Sequence, residues 1–125
     1  MEKNEEEGER TFDLEERTFQ FALRIREVVS AHRWTRAQWT DVRQLLRSSG
    51  SVAANYVEAN NAASRPDFIY RIGVSKKEAV ESRLWLRLLG ATTSTDKARE
   101  PLRSLYREAE ELVRILASIH RKTKP

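Results

Sequence analysis

Between Arg47 and Ala59 the chain reads Arg-Ser-Ser-Gly-Ser-Val-Ala-Ala-Asn-Tyr-Val-Glu-Ala, a run of small residues inside a segment whose apolar spacing is helical. Ordinary surface helices favour Ala, Leu, Glu and Lys, and a Ser-Ser-Gly-Ser run lowers helix propensity. Small side chains let a second helix approach closely. The run therefore points to a fold defined by close helix–helix contacts. It holds no group that stands out as catalytic.

Periodicity extends this reading to the whole chain. Asp13 followed by Glu16 resembles a capping box, opening a helix over about 14–31 with Leu14, Phe21, Ile25 and Val28 in one stripe. Phe19 and Leu23 lie outside that stripe. Thr35 caps a second helix over about 36–61, with Val42, Leu46, Ser49, Ala53 and Tyr56 inward; Arg47, Ser51, Asn55, Glu58 and Ala62 fall opposite. Gly50 inside this helix costs roughly 1 kcal/mol relative to Ala, which close packing offsets. Ser64-Arg65-Pro66-Asp67 opens a third helix that Gly90 ends. Phe68, Ile72, Ala79, Leu86 and Leu89 share its inner side, while Val80, Leu84, Trp85 and Leu88 extend the apolar surface. Pro101 sits near the start of a fourth helix ending around His120. Its Leu102, Leu105, Ala109, Leu112, Leu116 and Ile119 step by threes and fours.

Helices of this length joined by short connections predict an all-α, antiparallel, up-down-up-down four-helix bundle. We expect residues 1–12 to be a mobile acidic leader, 13–121 the bundle, and 122–125 a basic tail. The first and third helices carry more apolar surface than one copy can hide. Phe19, Leu23, Leu84 and Leu88 are therefore the expected interface of a homo-oligomeric ring.

Composition removes other classes. The chain has no Cys, so disulfides, thiolate metal sites and cysteine nucleophiles are excluded. No apolar run approaches the roughly 20 residues a bilayer span needs, and the acidic N-terminus lacks a signal pattern, so the expected location is the cytoplasm and no membrane partner is expected. A carboxylate metal centre in a bundle uses Glu-x-x-His, and neither His32 nor His120 has a Glu three residues before it. No phosphate loop and no triad signature is present. We expect no cofactor, no metal and no enzymatic activity.

Charge offers the best signal for a partner. Seventeen of the 23 basic residues are Arg, and the net charge is +4 although five Glu crowd the first twelve positions. Arg pairs bidentately with phosphate or carboxylate, so the bias suits RNA or DNA binding as well as salt bridges. Arg99, Arg103, Arg107, Arg114 and Arg121 fall within roughly 80° of one another on the fourth helix, and Lys122 continues them. Glu100, Glu108, Glu110 and Glu111 lie in or beside that stripe, the arrangement a merely solvated face would also show.

Several segments then identify a family. Asp13-Leu14-Glu15-Glu16-Arg17-Thr18-Phe19, Ala54-Asn55-Tyr56-Val57-Glu58-Ala59, Ser64-Arg65-Pro66-Asp67-Phe68 and Lys77-Glu78-Ala79-Val80-Glu81-Ser82-Arg83-Leu84-Trp85-Leu86 resemble the bacterial four helix bundle proteins, also called 23S rRNA intervening-sequence proteins. The resemblance covers about 13–120 and implies a bundle that assembles, in relatives of the fold, as a ring-shaped homopentamer. The chain is more distantly similar to the nucleic-acid-binding accessory protein of diversity-generating retroelements. The resemblance highlights Arg47, Asn55, Glu58, Glu78 and Glu81, read here as polar contacts across helices or subunits rather than a ligand site. Gly50 and the Trp34 turn depart from the family pattern.

The expected partners are thus further copies of the chain and RNA or DNA. The alternative is a structural or adaptor module that binds another protein. A remote alternative rests on Arg26 to His32 and Arg114 to His120, whose Arg-x5-His spacing resembles the ribonuclease motif of HEPN domains.

Overall fold

Helical propensity continues upstream of the expected first cap, and so does the helix. The computed structural model describes the backbone of residues 2–123 and the side chains of residues 14–123. It holds α1 (Glu2–Ala31), α2 (Arg36–Asn60), α3 (Arg65–Thr92) and α4 (Asp96–Thr123), with no strand among the described residues. Glu, Lys and Arg dominate the first ten positions and are good helix formers, so Asp13 lies within α1 instead of opening it. The leader expected over 1–12 lies outside the described side chains, and the last two residues of the expected basic tail lie outside the described residues.

The turns are closed by side chains. Trp34 Nε1 donates to the Val29 carbonyl at 3.0 Å and folds the chain back after α1. Thr35 is extended, and a reciprocal box joins it to Gln38: Gln38 N–H donates to Thr35 Oγ1 and Thr35 N–H donates to Gln38 Oε1. The same Gln38 donates Nε2–H to Thr92 Oγ1 at 3.1 Å, tying the start of α2 to the end of α3. Ser64 caps α3 by accepting the Asp67 N–H.

Gly90 does not end α3, contrary to expectation. Among the described residues no glycine adopts positive φ, and the helix continues to Thr92. The stop is made by hydroxyls: Thr93 Oγ1 donates to the Leu89 carbonyl at 2.6 Å.

The core is a seam of Phe21, Ile25, Leu45, Ile72, Leu105 and Leu112 with their neighbours, each essentially excluded from water. Burial of such side chains contributes roughly 1.5–3 kcal/mol each. Of the stripe expected on α2, Val42, Ser49 and Tyr56 are buried as expected, but the centre of the buried face is rotated. Leu45, Val52 and Asn55 are buried, while Leu46 and Ala53 are only half-buried. The cause is the partner: α2 makes its most extensive contact with α3, through Ser48, Ser75 and Ser82. Ser48 and Ser82 hydroxyls meet at 2.8 Å, and Ser75 donates to the Val52 carbonyl at 2.8 Å. Serine at these positions lets the two backbones come close while each hydroxyl keeps a partner.

Partner numbers fall along α3 as they rise along α2: Gln38 meets Thr92, Arg47 meets Glu78, Asn55 meets Arg71. The same descent links α1 to α4, where Arg17 meets Glu108 and Arg24 meets Ser104. Among the described residues each helix touches two others, and α1–α3 and α2–α4 have no close backbone approach. The slightest contact is between α1 and α4.

Candidate nucleic-acid interface

Helix α4 buries Leu102, Leu105, Ala109, Leu112 and Leu116 and turns its other side outward. Arg103, Arg107, Arg114, Arg121 and Lys122 are exposed on that outer side. Arg107, Arg114, Arg121 and Lys122 form no ion pair among the described residues. Arg103 Nη1 pairs with Glu100 Oε1 at 3.1 Å, a solvated contact of neighbours on one helix that contributes little. Arg99 differs from the rest of the predicted stripe. It is half-buried and donates Nε–H and Nη2–H to the Thr93 carbonyl at 3.3 and 2.9 Å, bracing the turn between α3 and α4.

Beside this face lies an open groove of about 530 Å³ between the end of α3 and the start of α4. Arg87, Arg99 and Arg103 stand along it, with Leu86, Leu102 and Tyr106 as its apolar lining. Gly90 sits in its wall, and a Cβ added there meets nothing within 4 Å. Sequence reasoning missed Arg87 and Tyr106 because they belong to different faces on each helix's own wheel. It took Gly90 for a helix stop. The signal available was a glycine one turn after an arginine, too weak to read alone.

The polar residues singled out on α2 and α3 meet within one chain. Arg47 reaches Glu78 Oε2 at 3.0 Å and Glu81 Oε1 at 3.3 Å. Burial pushes the Glu78 carboxyl above its ordinary value; Arg47 pulls it back and Glu81 pushes it up again. Asn55 is buried, donating to the Ser51 carbonyl and accepting from Arg71 Nη1 at 3.2 Å. Glu58 is not part of this cluster: it stands exposed, with no ion pair among the described residues. A second cluster that the sequence did not disclose joins α1 to α4. Arg17 grips Glu108 through two hydrogen bonds of 2.9 Å and reaches Glu111 at 3.0 Å. The Glu108 hydrogen bond holds Arg17 above its usual range against the opposing effect of burial.

Residues 10–118 match the family described as 23S rRNA-intervening sequence protein. The chain belongs to that family. A crystal structure from Bacteroides thetaiotaomicron, described as a protein with unknown function from the S23 ribosomal protein family, is similar at a TM-score of 0.70 and 32% sequence identity. The match covers 85% of this chain and 96% of that one. No curated protein matches.

In this 23S rRNA-intervening sequence family member the expected interface residues are all exposed: Phe19 53%, Leu23 37%, Leu84 48% and Leu88 39%. They form two separate strips. Phe19 and Leu23 lie one turn apart on α1; Leu84 and Leu88, with Val80, lie one turn apart on α3, across the diagonal of the bundle. The Arg-x5-His pairs do not converge. Arg26 donates to the Leu46 and Ala22 carbonyls, away from His32, whose ring lies edge-on to Trp34. Arg114 points outward, whereas His120 lies against Gly73 of α3. Among the described residues no three His, Cys, Asp or Glu come together as metal ligands, and no helix is long and apolar enough to cross a membrane.

Proposed function

We propose that this family member is a non-enzymatic, cytoplasmic bundle of antiparallel up-down-up-down helices whose copies close into a ring, a pentamer by family resemblance, and whose outward α4 faces hold RNA or DNA. The observation that carries the nucleic-acid reading is the set of exposed cations on α4, Arg107, Arg114, Arg121 and Lys122, without carboxylate partners among the described residues. A guanidinium already clasped by a half-buried carboxylate, as Arg17 is by Glu108, gives up that bond to take a phosphate. These cations have none to give up, and their release of counterions from a nucleic-acid backbone is pure gain.

The descending partner numbers between neighbouring helices support the antiparallel arrangement. The two apolar strips support the ring. A patch on α1 and a different patch on α3 favour head-to-tail contact, in which unlike surfaces meet and a closed rotation makes a ring. Ring closure gathers several α4 faces on one assembly, and multivalent contact raises affinity without any new bond.

Binding of structured RNA and duplex DNA, measured by filter retention at low and moderate salt, tests this. Affinity should fall steeply as salt rises. Replacing Arg107, Arg114 and Arg121 by Gln should weaken every sequence alike and lower the salt slope by about 3. Absence of binding at low salt would refute the nucleic-acid role and leave a protein-interaction module.

A further inference from the structure

Gly90 lies inside α3, where glycine is a poor choice. It has negative φ, no neighbour crowds it, and a Cβ at this position would enter open space. Gly50 and Gly73 are different: an added Cβ would come within 3.0 Å of Arg26 Nη2 and 3.2 Å of His120 Nε2, so those glycines admit a neighbouring side chain. Neither backbone conformation nor internal contact accounts for Gly90. What its missing side chain leaves open is the groove between α3 and α4.

The groove has a definite chemistry. The half-buried Tyr106 supplies its accessible apolar side, over a floor of the buried Leu86 and Leu102, and guanidinium groups come from both helices. Arg99 is braced by the Thr93 carbonyl and presents a fixed positive edge. Arg87 forms no ion pair among the described residues, and Arg103 holds only the solvated Glu100. A ligand that suits this lining has a flat apolar body and an anionic end. The volume of about 530 Å³ lies within the range of roughly 300–1,000 Å³ typical of small-ligand sites.

We infer that the α3–α4 groove at Gly90 takes one unpaired nucleotide of a bound strand, its phosphate on Arg87 and Arg103 and its base in the space at Gly90 against Tyr106. The inference rests on the nucleic-acid reading above and names the part of the strand that this site selects. Duplex phosphates reach the outward face of α4, but a paired base has no free face to offer the groove. Single strands gain the stacking contact that duplexes lack.

The test uses the full chain and a fluorescein-labelled single-stranded RNA of about 12 nucleotides, beside a duplex of the same length. Gly90→Leu fills the groove without changing charge, and the open space at this position accommodates it; thermal melting checks that it folds. It should lower single-strand affinity roughly tenfold while leaving duplex affinity within about twofold. Arg87→Gln should act in the same direction, whereas Arg114→Gln with Arg121→Gln should weaken both ligands alike. Binding of both probes that Gly90→Leu and Arg87→Gln leave unchanged would overturn the groove and keep the basic face. Should neither probe bind at low salt, the nucleic-acid role fails, and NMR titration with uridine monophosphate and with inorganic phosphate decides the groove separately. Saturable shifts at Gly90 and Tyr106 with the nucleotide, lost in Gly90→Leu, would support a nucleotide site. No shift, or phosphate binding as tightly as the nucleotide, would overturn it.

Discussion

Glu78 shows how one buried carboxyl sets a pH response. Its side chain is 9% exposed, and the loss of water together with the neighbouring Glu81 raises its proton affinity against the opposing pull of Arg47. The folded protein therefore holds this proton more tightly than the unfolded chain does. The stability this provides is fully present below the ordinary value of 4.5 and is lost as pH rises through the raised folded-state value. Glu78→Gln keeps the shape and removes the titration. Urea unfolding at pH 4.5 and pH 7 should show the variant gaining on the native chain as pH rises; a loss instead would mean the Arg47 attraction outweighs burial. Gly50 shows a different economy at the same scale. Its bare backbone gives room to the Arg26 head, which donates to the Leu46 carbonyl at 3.1 Å. The sequence marks the close approach, and the structure reveals that a guanidinium makes it.

Among the described residues, α1 is the helix held least closely by its neighbours. Its approach to α4 is slight, and Arg17 supplies the strongest link, two parallel hydrogen bonds to a half-buried Glu108. Arg17→Ala leaves Glu108 without its cation and should destabilise the protein by about 1–3 kcal/mol. Hydrogen exchange should show the loss first in α1, with α2 and α3 protected longest because their serine-lined contact is the most extensive. Equal acceleration in all helices would contradict this order. Helix ends teach a related lesson. The Thr35 and Ser64 caps are legible from sequence because capping depends on residues three apart. The end of α3 is not, because it depends on threonine hydroxyls and on Gln38 from another helix.

The ring proposed above rests on what one copy leaves uncovered. Leu84→Glu places a charge in the α3 strip, and Phe19→Glu does so in the α1 strip. Either should reduce the sedimenting mass from a multiple of 14.6 kDa toward a single chain while helical circular dichroism persists. A native chain that already sediments as one copy would refute the ring. Both strips were visible in the sequence as apolar residues off the main stripe, since helical period follows from backbone geometry alone. The outward placement of Arg107, Arg114 and Arg121 was legible for the same reason.

Relations within one helix, its period, the caps at Thr35 and Ser64 and the side its charges take, are thus written in the chain, because they act over three or four residues. The rotation of α2 toward α3, the grip of Arg17 on Glu108, the commitment of Arg99 to a turn and the groove at Gly90 come from residues far apart in sequence. Those relations exist only once two helices are set side by side, since a wheel drawn for one helix carries no information about which neighbour lies against it.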